Sequence, residues 1–274
     1  MNVHYSRAMV LALAAATLML ACTDPDKSID MNTATITTTA LTRSDWDAIR
    51  SHTVFFGHQS IGDNIIDGLR QIAAAESWPA LRVVEDPSST ISEPALLHSK
   101  VGQNGNASSK IAGFKQALDA GAANRADIAL MKFCFWDIRA DTDVNKVFDE
   151  YQRTMADISR RFPTLTLLHA TVPLVIEDND WRARVRRLVG KAVPTDADNA
   201  RREALNQKIR AAYGARVFDI ARAEQDPDVA ASAVPYLSAA FSSDGAHLNE
   251  AGRRQVAAAF VRSVAAAARV GVAR

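Results

Sequence analysis

The sequence predicts an α/β protein built on one doubly wound, mostly parallel sheet of about five strands. Short apolar runs alternate with amphipathic helical segments along most of the 274 residues. The run from Asp127 to Trp136 is almost continuously apolar, as expected for a strand buried on both faces. This alternation favours parallel strands joined by helices. Right-handed crossovers then place helices on both faces, which gives three layers.

Each predicted element follows from its local pattern. The strands are apolar or β-branched runs at 54–56, 81–84, 127–136, 165–172 and 217–220. The longer helices carry one apolar face and cover 61–75, a segment from Ser108 or Ser109 through Leu118, 144–162, 200–213 and about 250–268. Ser44 is predicted to cap a short helix at 45–49. The stretch 87–109, with its proline and glycine residues, is predicted to be a loop.

The chain divides into three parts by composition. Residues 1–21 are predicted to be a signal peptide, since the apolar run 8–21 is too short for a membrane span. Residues 22–44 are predicted to be a threonine-rich tether, and 45–270 a single domain. The segment Met19-Leu-Ala-Cys22 resembles the lipobox of bacterial lipoproteins, which implies a lipid on Cys22. Thr23 after it favours the outer membrane. Plain periplasmic secretion and a buried helix with an inert cysteine stay open.

Charge and cysteine content exclude several classes of function. With 32 basic and 31 acidic residues the formal net charge is +1, so no overall field attracts nucleic acid. Aromatic residues are few and are not interleaved with basic ones, as a single-strand groove requires. Two cysteines and six scattered histidines give neither a disulfide framework nor zinc spacing. We therefore expect no nucleic acid, metal or cofactor, an inert Cys134, and a monomer attached to the membrane through the lipid on Cys22.

The stretch T-V-F-F-G-H-Q-S-I-G, residues 53–62, is the first candidate functional segment. A short strand leads through a turn at Gly57 to Ser60 at the mouth of a helix. Backbone N–H groups at a helix start point towards such a serine, so it is a suitable place for a nucleophile. By itself it is also a natural place for an ordinary N-cap serine.

The second candidate segment is D-G-A-H-L-N-E-A-G, residues 244–252. A carboxylate three residues before a histidine can accept the imidazole Nδ1–H, so that Nε2 faces outward as a general base. The alternative is that Asp244 caps a turn and His247 is an exposed loop residue.

The order Ser60, Gly105, Asp137, Asp244-x-x-His247 resembles the SGNH (GDSL-type) hydrolases, which are esterases on a flavodoxin-like sheet. The resemblance covers about residues 53–268, and its most specific part is the match of 244–252 to the block D-x-x-H-x-N-x-x-G. It implies that Ser60 is the nucleophile, His247 the base and Asp244 the residue that orients His247. It also implies an oxyanion hole formed by the backbone N–H groups of Ser60 and Gly105.

Two blocks depart from that family pattern. The first reads G-H-Q-S at 57–60 in place of G-D-S, and the third reads C-F-W-D at 134–137 without its usual asparagine. A replacement oxyanion donor is expected from Trp136, Gln59 or Asn104, with the two amides preferred; a hole of two donors is the other possibility. Asp137 is expected to brace the loops around the site.

Further residues have competing interpretations. His58 could be an alternative base, although adjacent turn residues usually diverge, and His169 is expected to be a core histidine. The basic cluster Arg182–Lys191 is either a solvated face or an insertion that covers the site and attracts an anionic glycan or phospholipid headgroup.

The sequence thus predicts a serine hydrolase that cleaves carboxylic esters, with O-acetyl groups on envelope sugars as the preferred substrate. A (lyso)phospholipase or a thioesterase of the same fold is the alternative within the class. The alternative from another class is a catalytically inactive glycan-binding lipoprotein.

Overall fold

The computed structural model describes residues 41–85, 91–226 and 234–271. The predicted signal peptide, Cys22 and most of the predicted tether lie outside these residues. The described residues belong to one compact unit that begins at Thr38. Within them, no helix is long and apolar enough to cross a membrane.

The described strands form two parallel sheets, and the chain runs almost directly from a strand of the first sheet into a strand of the second. The first has the order β2-β3-β1-β4-β5 and the second pairs β6 with β7. Between β5 and β6, the N–H of Leu168 donates to the carbonyl of Ala129 at 3.0 Å. The predicted five-stranded parallel sheet is therefore confirmed. The strands are β1 Val54–His58, β2 Val83–Val84, β3 Leu96–Lys100, β4 Ile128–Met131, β5 Thr166–Leu167, β6 His169–Ala170 and β7 Val217–Phe218.

Helices cover both faces of the sheet, which confirms the three-layer arrangement. Val54 and Phe56 of β1 pack in the cluster formed with α1, α2 and α8, whereas Phe55 packs with α3, α4 and α6. Successive strand residues point to opposite faces, so a strand buried on both sides must be apolar throughout. The helices are α1 Arg43–Arg50, α2 Ile61–Ala75, α3 Ala107–Asp119, α4 Val144–Arg161, α5 Trp181–Leu188, α6 Pro194–Tyr213, α7 Ile220–Ala223 and α8 Glu250–Gly271.

The prediction of a loop over 87–109 was wrong for β3. This strand pairs with β1 over five residues, from Val54 with Leu96 to His58 with Lys100. Its polar second half hid it in the sequence, because a histidine, a serine and a lysine follow only two leucines. Pairing with a buried neighbour supplies what its own propensity lacks.

Several element boundaries also differ from the sequence prediction. The fourth strand ends at Met131, because residues 135–137 form a 3₁₀ turn. Helix α1 is capped by Thr42 in a capping box with Asp45, and not by Ser44. Helix α6 begins at Pro194, earlier than predicted, since proline has no N–H to lose at the first helical position.

The strand order places a crevice beside β1. From β1 the chain passes through the edge strand β2 to β3 on one side and later to β4 on the other, so the loops after β1, β3 and β4 meet at one edge of the sheet. On one face α2 and α8 pack closely, because Gly68 carries no side chain. A Cβ at that position would lie 2.2 Å from the carbonyl oxygen of Arg253 and 2.7 Å from the Cβ of Ala257.

Candidate active site

Ser60 is held in a strained backbone conformation between β1 and α2. Its φ is 50° and its ψ −104°, and among the described residues only Ser77 is another non-glycine with positive φ. Such conformations cost of order 1–3 kcal/mol and cluster at functional sites. Ser60 occupies the N-cap position of α2, but its side chain makes no capping hydrogen bond. The hydroxyl is therefore left for another partner.

That partner is His247. The Oγ of Ser60 lies 2.6 Å from the Nε2 of His247, although the two residues are 187 positions apart. On the other side of the ring, Nδ1 lies 2.7 Å from the Oδ2 of Asp244. A carboxylate at Nδ1 fixes the proton on that nitrogen, so Nε2 is the acceptor for the serine hydroxyl. The three side chains thus form a continuous Ser-His-Asp chain of hydrogen bonds.

Asp244 is oriented by its own loop. Its Oδ1 accepts the backbone N–H of His247 at 2.7 Å and that of Ala246 at 2.9 Å. These two bonds, followed by the bond to the imidazole, hold the pKa of the Asp244 carboxyl well below its usual value. The carboxylate therefore stays ionised beside the histidine, where it can stabilise an imidazolium.

The loop that carries His247 is fixed at both ends. Asn249 accepts the N–H of Gly252 at 3.1 Å and donates its amide to the carbonyl of Ala240 at 2.9 Å. A Cβ on Gly252 would lie 2.5 Å from the carbonyl oxygen of Phe241, so this position requires glycine. On the other side, Asn64 of α2 accepts the N–H of Leu248. The sequence analysis missed Asn64, whose only signal is its place one helical turn after Ser60.

Asp137 joins the loop after β3 to the turn after β4. One carboxylate oxygen accepts the N–H of Gly105 at 2.7 Å, and the other accepts the N–H of Cys134 at 2.6 Å. The Nζ of Lys110 lies 3.8 Å from the second oxygen, and the side chains of both residues are fully buried. The N–H of Gly105 is therefore engaged by Asp137 in this structure, and is not open to an oxyanion.

The other predicted oxyanion donors differ in the contacts that their side chains already make. Asn104 accepts a hydrogen bond from Lys110 Nζ at 2.7 Å through its side-chain oxygen, which leaves its amide nitrogen without an acceptor among the described residues. The amide of Gln59 donates to the carbonyl of Gly102 at 3.0 Å and so braces the loop after β3. Trp136 is half exposed, and the Arg139 guanidinium lies 4.9 Å from its ring centre.

Charged residues that the sequence analysis missed lie buried near the loops of the site. Lys132 follows β4 and is completely buried, which lowers its pKa to about 8. Glu224 is equally buried, its pKa is raised to about 8 by desolvation, and it accepts the N–H of Leu174. Arg202 donates to the carbonyl groups of Phe135 at 2.9 Å and of Ile138 at 3.2 Å. In the sequence, the only indication of these buried charges is Lys132, a single lysine inside an apolar run.

His58 and His169 are structural. His58 is fully buried, its Nε2 lies 3.0 Å from Nδ1 of His98, and desolvation lowers its pKa to about 2. Its ring packs against Gly62, where a Cβ would lie 2.3 Å from the ring. His169 contacts the Tyr151 hydroxyl at 2.9 Å, and burial lowers its pKa to about 3. Both rings are neutral at ordinary pH.

The described residues contain no cluster of histidine, cysteine and acidic side chains that could hold a metal ion. Ser60 and His247 are accessible, and neither lines the cavity of about 340 Å³ formed by Ile176, Tyr236 and their neighbours. The cavity adjoins the histidine loop, because the N–H of Ile176 donates to the carbonyl of Gly245 at 3.0 Å.

The fold and the site together define an α/β chain with a Ser-His-Asp arrangement at the switch point of its sheet. No protein-family model and no curated protein matches the sequence.

Solved structures with a similar course of the chain include three from different organisms. A protein described as a platelet activating factor from Streptococcus pneumoniae has a TM-score of 0.48 at 14% identity, covering 82% of this chain and 92% of that one. A protein assigned to the G-D-S-L lipolytic family from Desulfitobacterium hafniense has 0.46 at 10%, covering 77% and 99%. A carbohydrate esterase of family 3 from Talaromyces cellulolyticus has 0.41 at 14%, covering 77% and 93%. Similarity this distant assigns neither an activity nor a substrate.

Proposed function

We propose that this chain is an SGNH-type serine hydrolase that cleaves carboxylic esters through an acyl-enzyme. One observation carries the proposal: Ser60 Oγ, the His247 ring and the Asp244 carboxylate are joined by hydrogen bonds of 2.6 and 2.7 Å. A serine hydroxyl is a weak nucleophile unless a base takes its proton, and this is the geometry in which a neutral imidazole can do so.

In the first half of the proposed reaction, Ser60 Oγ attacks the ester carbonyl carbon while His247 Nε2 takes the hydroxyl proton. Asp244 stabilises the imidazolium that forms. The tetrahedral intermediate collapses with cleavage of the bond to the alcohol oxygen, and His247 returns the proton to this leaving group. The acyl group is then esterified to Ser60.

In the second half, water attacks the acyl-enzyme carbonyl and His247 takes its proton. Collapse of this intermediate breaks the bond to Ser60 Oγ, which recovers its proton from His247. The carboxylic acid leaves. The accessible His247 leaves room for this water, because nearly half of its side-chain surface is exposed.

The developing oxyanion needs donors near Ser60. The backbone N–H of Ser60 has no acceptor among the described residues and stands at the start of α2, where helix amides favour negative charge. We propose the free amide of Asn104 as the second donor. The N–H of Gly105 would join only when Asp137 releases it. Gln59 would support the loop through its bond to Gly102.

The donor assignment has a direct test. Removal of one oxyanion donor typically costs about 2.7–4 kcal/mol in the barrier, or 10²–10³ in kcat. Asn104→Ala is therefore expected to lower kcat about a hundredfold, and Gln59→Ala by much less. Equal kcat values for Asn104→Ala and wild type would remove Asn104 from the hole.

For the substrate we propose O-acetyl groups on sugars of the cell envelope. The exposed histidine and the half-exposed Trp136 leave the site open, which suits a bulky polar substrate better than a long acyl chain. The location rests on the signal and Cys22 lipid predicted from the sequence, with the outer membrane favoured over the free periplasm. A (lyso)phospholipase or a thioesterase is the alternative within the class. Hydrolysis rates on an acetylated polysaccharide, a lysophospholipid and an acyl thioester separate the three.

The enzyme proposal is tested with a short-chain aryl ester and a fluorophosphonate probe. Wild type is expected to hydrolyse the ester and to be labelled on Ser60, as peptide mapping would show. Ser60→Ala should lose both properties. Ser92→Ala, at an exposed serine distant in sequence, is the matched control and should keep both. Hydrolysis that survives in Ser60→Ala would place the chemistry elsewhere.

A catalytically inactive glycan-binding module is the second candidate. The observation in its favour is that the N–H of Gly105 donates to Asp137. The oxyanion hole therefore lacks a donor that the family resemblance leads one to expect at Gly105. Absence of both hydrolysis and labelling in folded wild type, together with binding to an envelope polysaccharide, would support this candidate over the esterase.

A further inference from the structure

Helix α5 presents an exposed apolar stripe to solvent. Trp181 is 68% exposed, Val185 48% and Leu188 87%, and Val189 just after the helix is 58% exposed. At about 100° per residue these positions fall on one side of the helix. Ala183, on the opposite side, is the buried residue of α5. Apart from Trp136 at the candidate active site, these are the exposed large hydrophobic residues of the described chain.

Arginines flank this stripe on both sides. The segment 181–191 contains five basic residues and no acidic one. Arg182, Arg184 and Arg186 are exposed and form no ion pair among the described residues, whereas Arg187 is paired with Asp196 at 2.8 Å. By helical rotation Arg182 and Arg186 lie on one side of the stripe and Arg184 on the other. The acidic neighbour Asp180 is used as the N-cap, where it accepts the N–H of Ala183.

We propose that α5 is a membrane-interface helix that binds the surface of a bilayer containing anionic phospholipids. An apolar stripe bordered by cations is the pattern of a helix that lies in the interface plane, with its apolar side among acyl chains and its cations at the headgroups. Tryptophan is favoured at this depth. Exposed arginines are attracted by anionic lipid headgroups, and each contributes to binding. The inference is independent of the proposed hydrolase activity.

Charge complementarity selects this occupant over a second copy of the chain. In a two-fold symmetric pair the same patch faces itself, so the arginines of one stripe would stand against those of the other. Like charges placed opposite one another oppose such an interface. An anionic headgroup layer supplies the opposite sign along the whole stripe.

The test uses the full chain and vesicles of phosphatidylcholine with or without about a third of phosphatidylglycerol. The chain has four tryptophans, so the difference between wild type and Trp181→Phe isolates the fluorescence of Trp181. With lipids brominated in the acyl chain, this difference signal should be quenched on anionic vesicles. Because the signal reports position 181 itself, it is informative even if residues 1–40 attach the chain to the vesicle.

Two sets of variants distinguish binding through the α5 stripe from a general effect of positive charge. Reversal of Arg182, Arg184 and Arg186 to glutamate should weaken binding to anionic vesicles about a hundredfold or abolish Trp181 quenching. The matched control reverses three exposed arginines elsewhere, Arg153, Arg222 and Arg254, and should change binding far less. Leu188→Ser with Val189→Ser should also reduce quenching. Circular dichroism melting verifies that all variants fold.

Three results would overturn the proposal. The first is an unquenched Trp181 while the chain is bound to the vesicle. The second is equal loss of binding in the α5 and control reversals. The third is a concentration-dependent dimer that Leu188→Ser dissociates, with Trp181 unaffected by lipid, since it would make the stripe a contact between copies.

Discussion

Asn64 of α2 accepts the backbone N–H of Leu248 at 3.1 Å, so the helix that follows Ser60 also holds the residue after His247. Ser60 and Asn64 are one turn apart on α2, and His247 and Leu248 are adjacent in their loop. The two hydrogen bonds, 2.6 Å for Ser60–His247 and 3.1 Å for Asn64–Leu248, therefore tie the same two segments together at two points.

Replacement of Asn64 should reveal this positioning role. Asn64→Ala is expected to lower kcat about tenfold with little change in KM, and to reduce stability by about 1 kcal/mol through the unpaired N–H of Leu248. Asn64→Asp keeps an acceptor and should recover most of kcat. Steady-state kinetics on an aryl acetate and thermal melts provide both readouts. If alanine and aspartate variants lose kcat equally, the hydrogen bond to Leu248 is not what matters.

The strain at Ser60 predicts that the glycine variant is more stable than wild type. At an ordinary N-cap, serine is more stabilising than glycine. Here φ is 50° and the side chain caps nothing, so Ser60→Gly should raise the free energy of unfolding by about 1 kcal/mol while activity is lost. Chemical denaturation measures the difference. Asn106, which caps α3 by accepting the N–H of Ser109, is the control, and Asn106→Gly should destabilise slightly. A less stable Ser60→Gly would contradict the strain argument.

Asp244→Asn should separate catalysis from folding. The asparagine oxygen can keep the backbone N–H bonds from Ala246 and His247, but its amide would donate to Nδ1 and favour the wrong imidazole tautomer. We expect kcat to fall by about 10³–10⁴ with little change in Tm. Asp141→Asn, at another exposed acid, should leave kcat unchanged. A decrease of less than tenfold for Asp244→Asn would exclude the proposed role.

Gly62 and His58 should behave as a coupled pair. Gly62→Ala would place a Cβ 2.3 Å from the His58 ring, so a destabilisation of about 1–3 kcal/mol is expected from overpacking. In a His58→Ala background the same change should cost much less, and a double-mutant cycle measures the coupling. Additive effects of the two substitutions would show that the clash is relieved elsewhere.

Buried Glu224 predicts a pH dependence of stability. Its folded pKa of about 8 lies above the unfolded value near 4.5, so the folded chain holds a proton that the unfolded chain has lost. The Glu224 contribution to stability should therefore fall with rising pH across 5.5–7.5, by at most about 1.4 kcal/mol per unit, whereas buried His58 and His169, with their lowered pKa values, contribute with the opposite sign. Lys132, with a lowered pKa of about 8, stays mostly charged in both states in this window and adds only a small slope of the opposite sign near its upper end.

Glu224→Gln should remove the Glu224 contribution to this pH dependence and leave that of the histidines. Glutamine has no proton to release, and its oxygen can still accept the N–H of Leu174. The quantity to compare is the change in unfolding free energy between pH 5.5 and 7.5, since the substitution also shifts absolute stability. Identical slopes for wild type and Glu224→Gln would show that Glu224 titrates normally.

The parts of the fold that could be predicted are those with strong local patterns. Strands β1 and β4 are apolar on both faces, and α2 carries a regular apolar stripe, so their positions follow from periodicity. Strand β3 could not be found in this way, because its final residues are polar and it is stabilised by pairing with β1. The 3₁₀ turn at 135–137 was also hidden, since the Asp137 carboxylate that closes it acts through tertiary geometry.

The residues of the candidate site also divide into those that a local sequence pattern marks and those that none marks. Ser60, Asp244 and His247 were found because each stands in a short recognisable segment. Asn64, Lys110 and Glu224 act on partners that only the folded chain brings near, and no local pattern marks them. The same holds for the engagement of Gly105 by Asp137, which depends on a contact between loops from two strands.

The missing side chain at Gly68 also bears on the geometry of the candidate active site. Gly68 lies about two helical turns beyond Ser60, and its contact with Arg253 and Ala257 sets how near α2 can come to α8. His247 stands just before α8, so that contact influences the distance between Ser60 and His247. A single methyl group added there would push the two helices apart and lengthen the hydrogen bond between Ser60 and His247, without touching either residue.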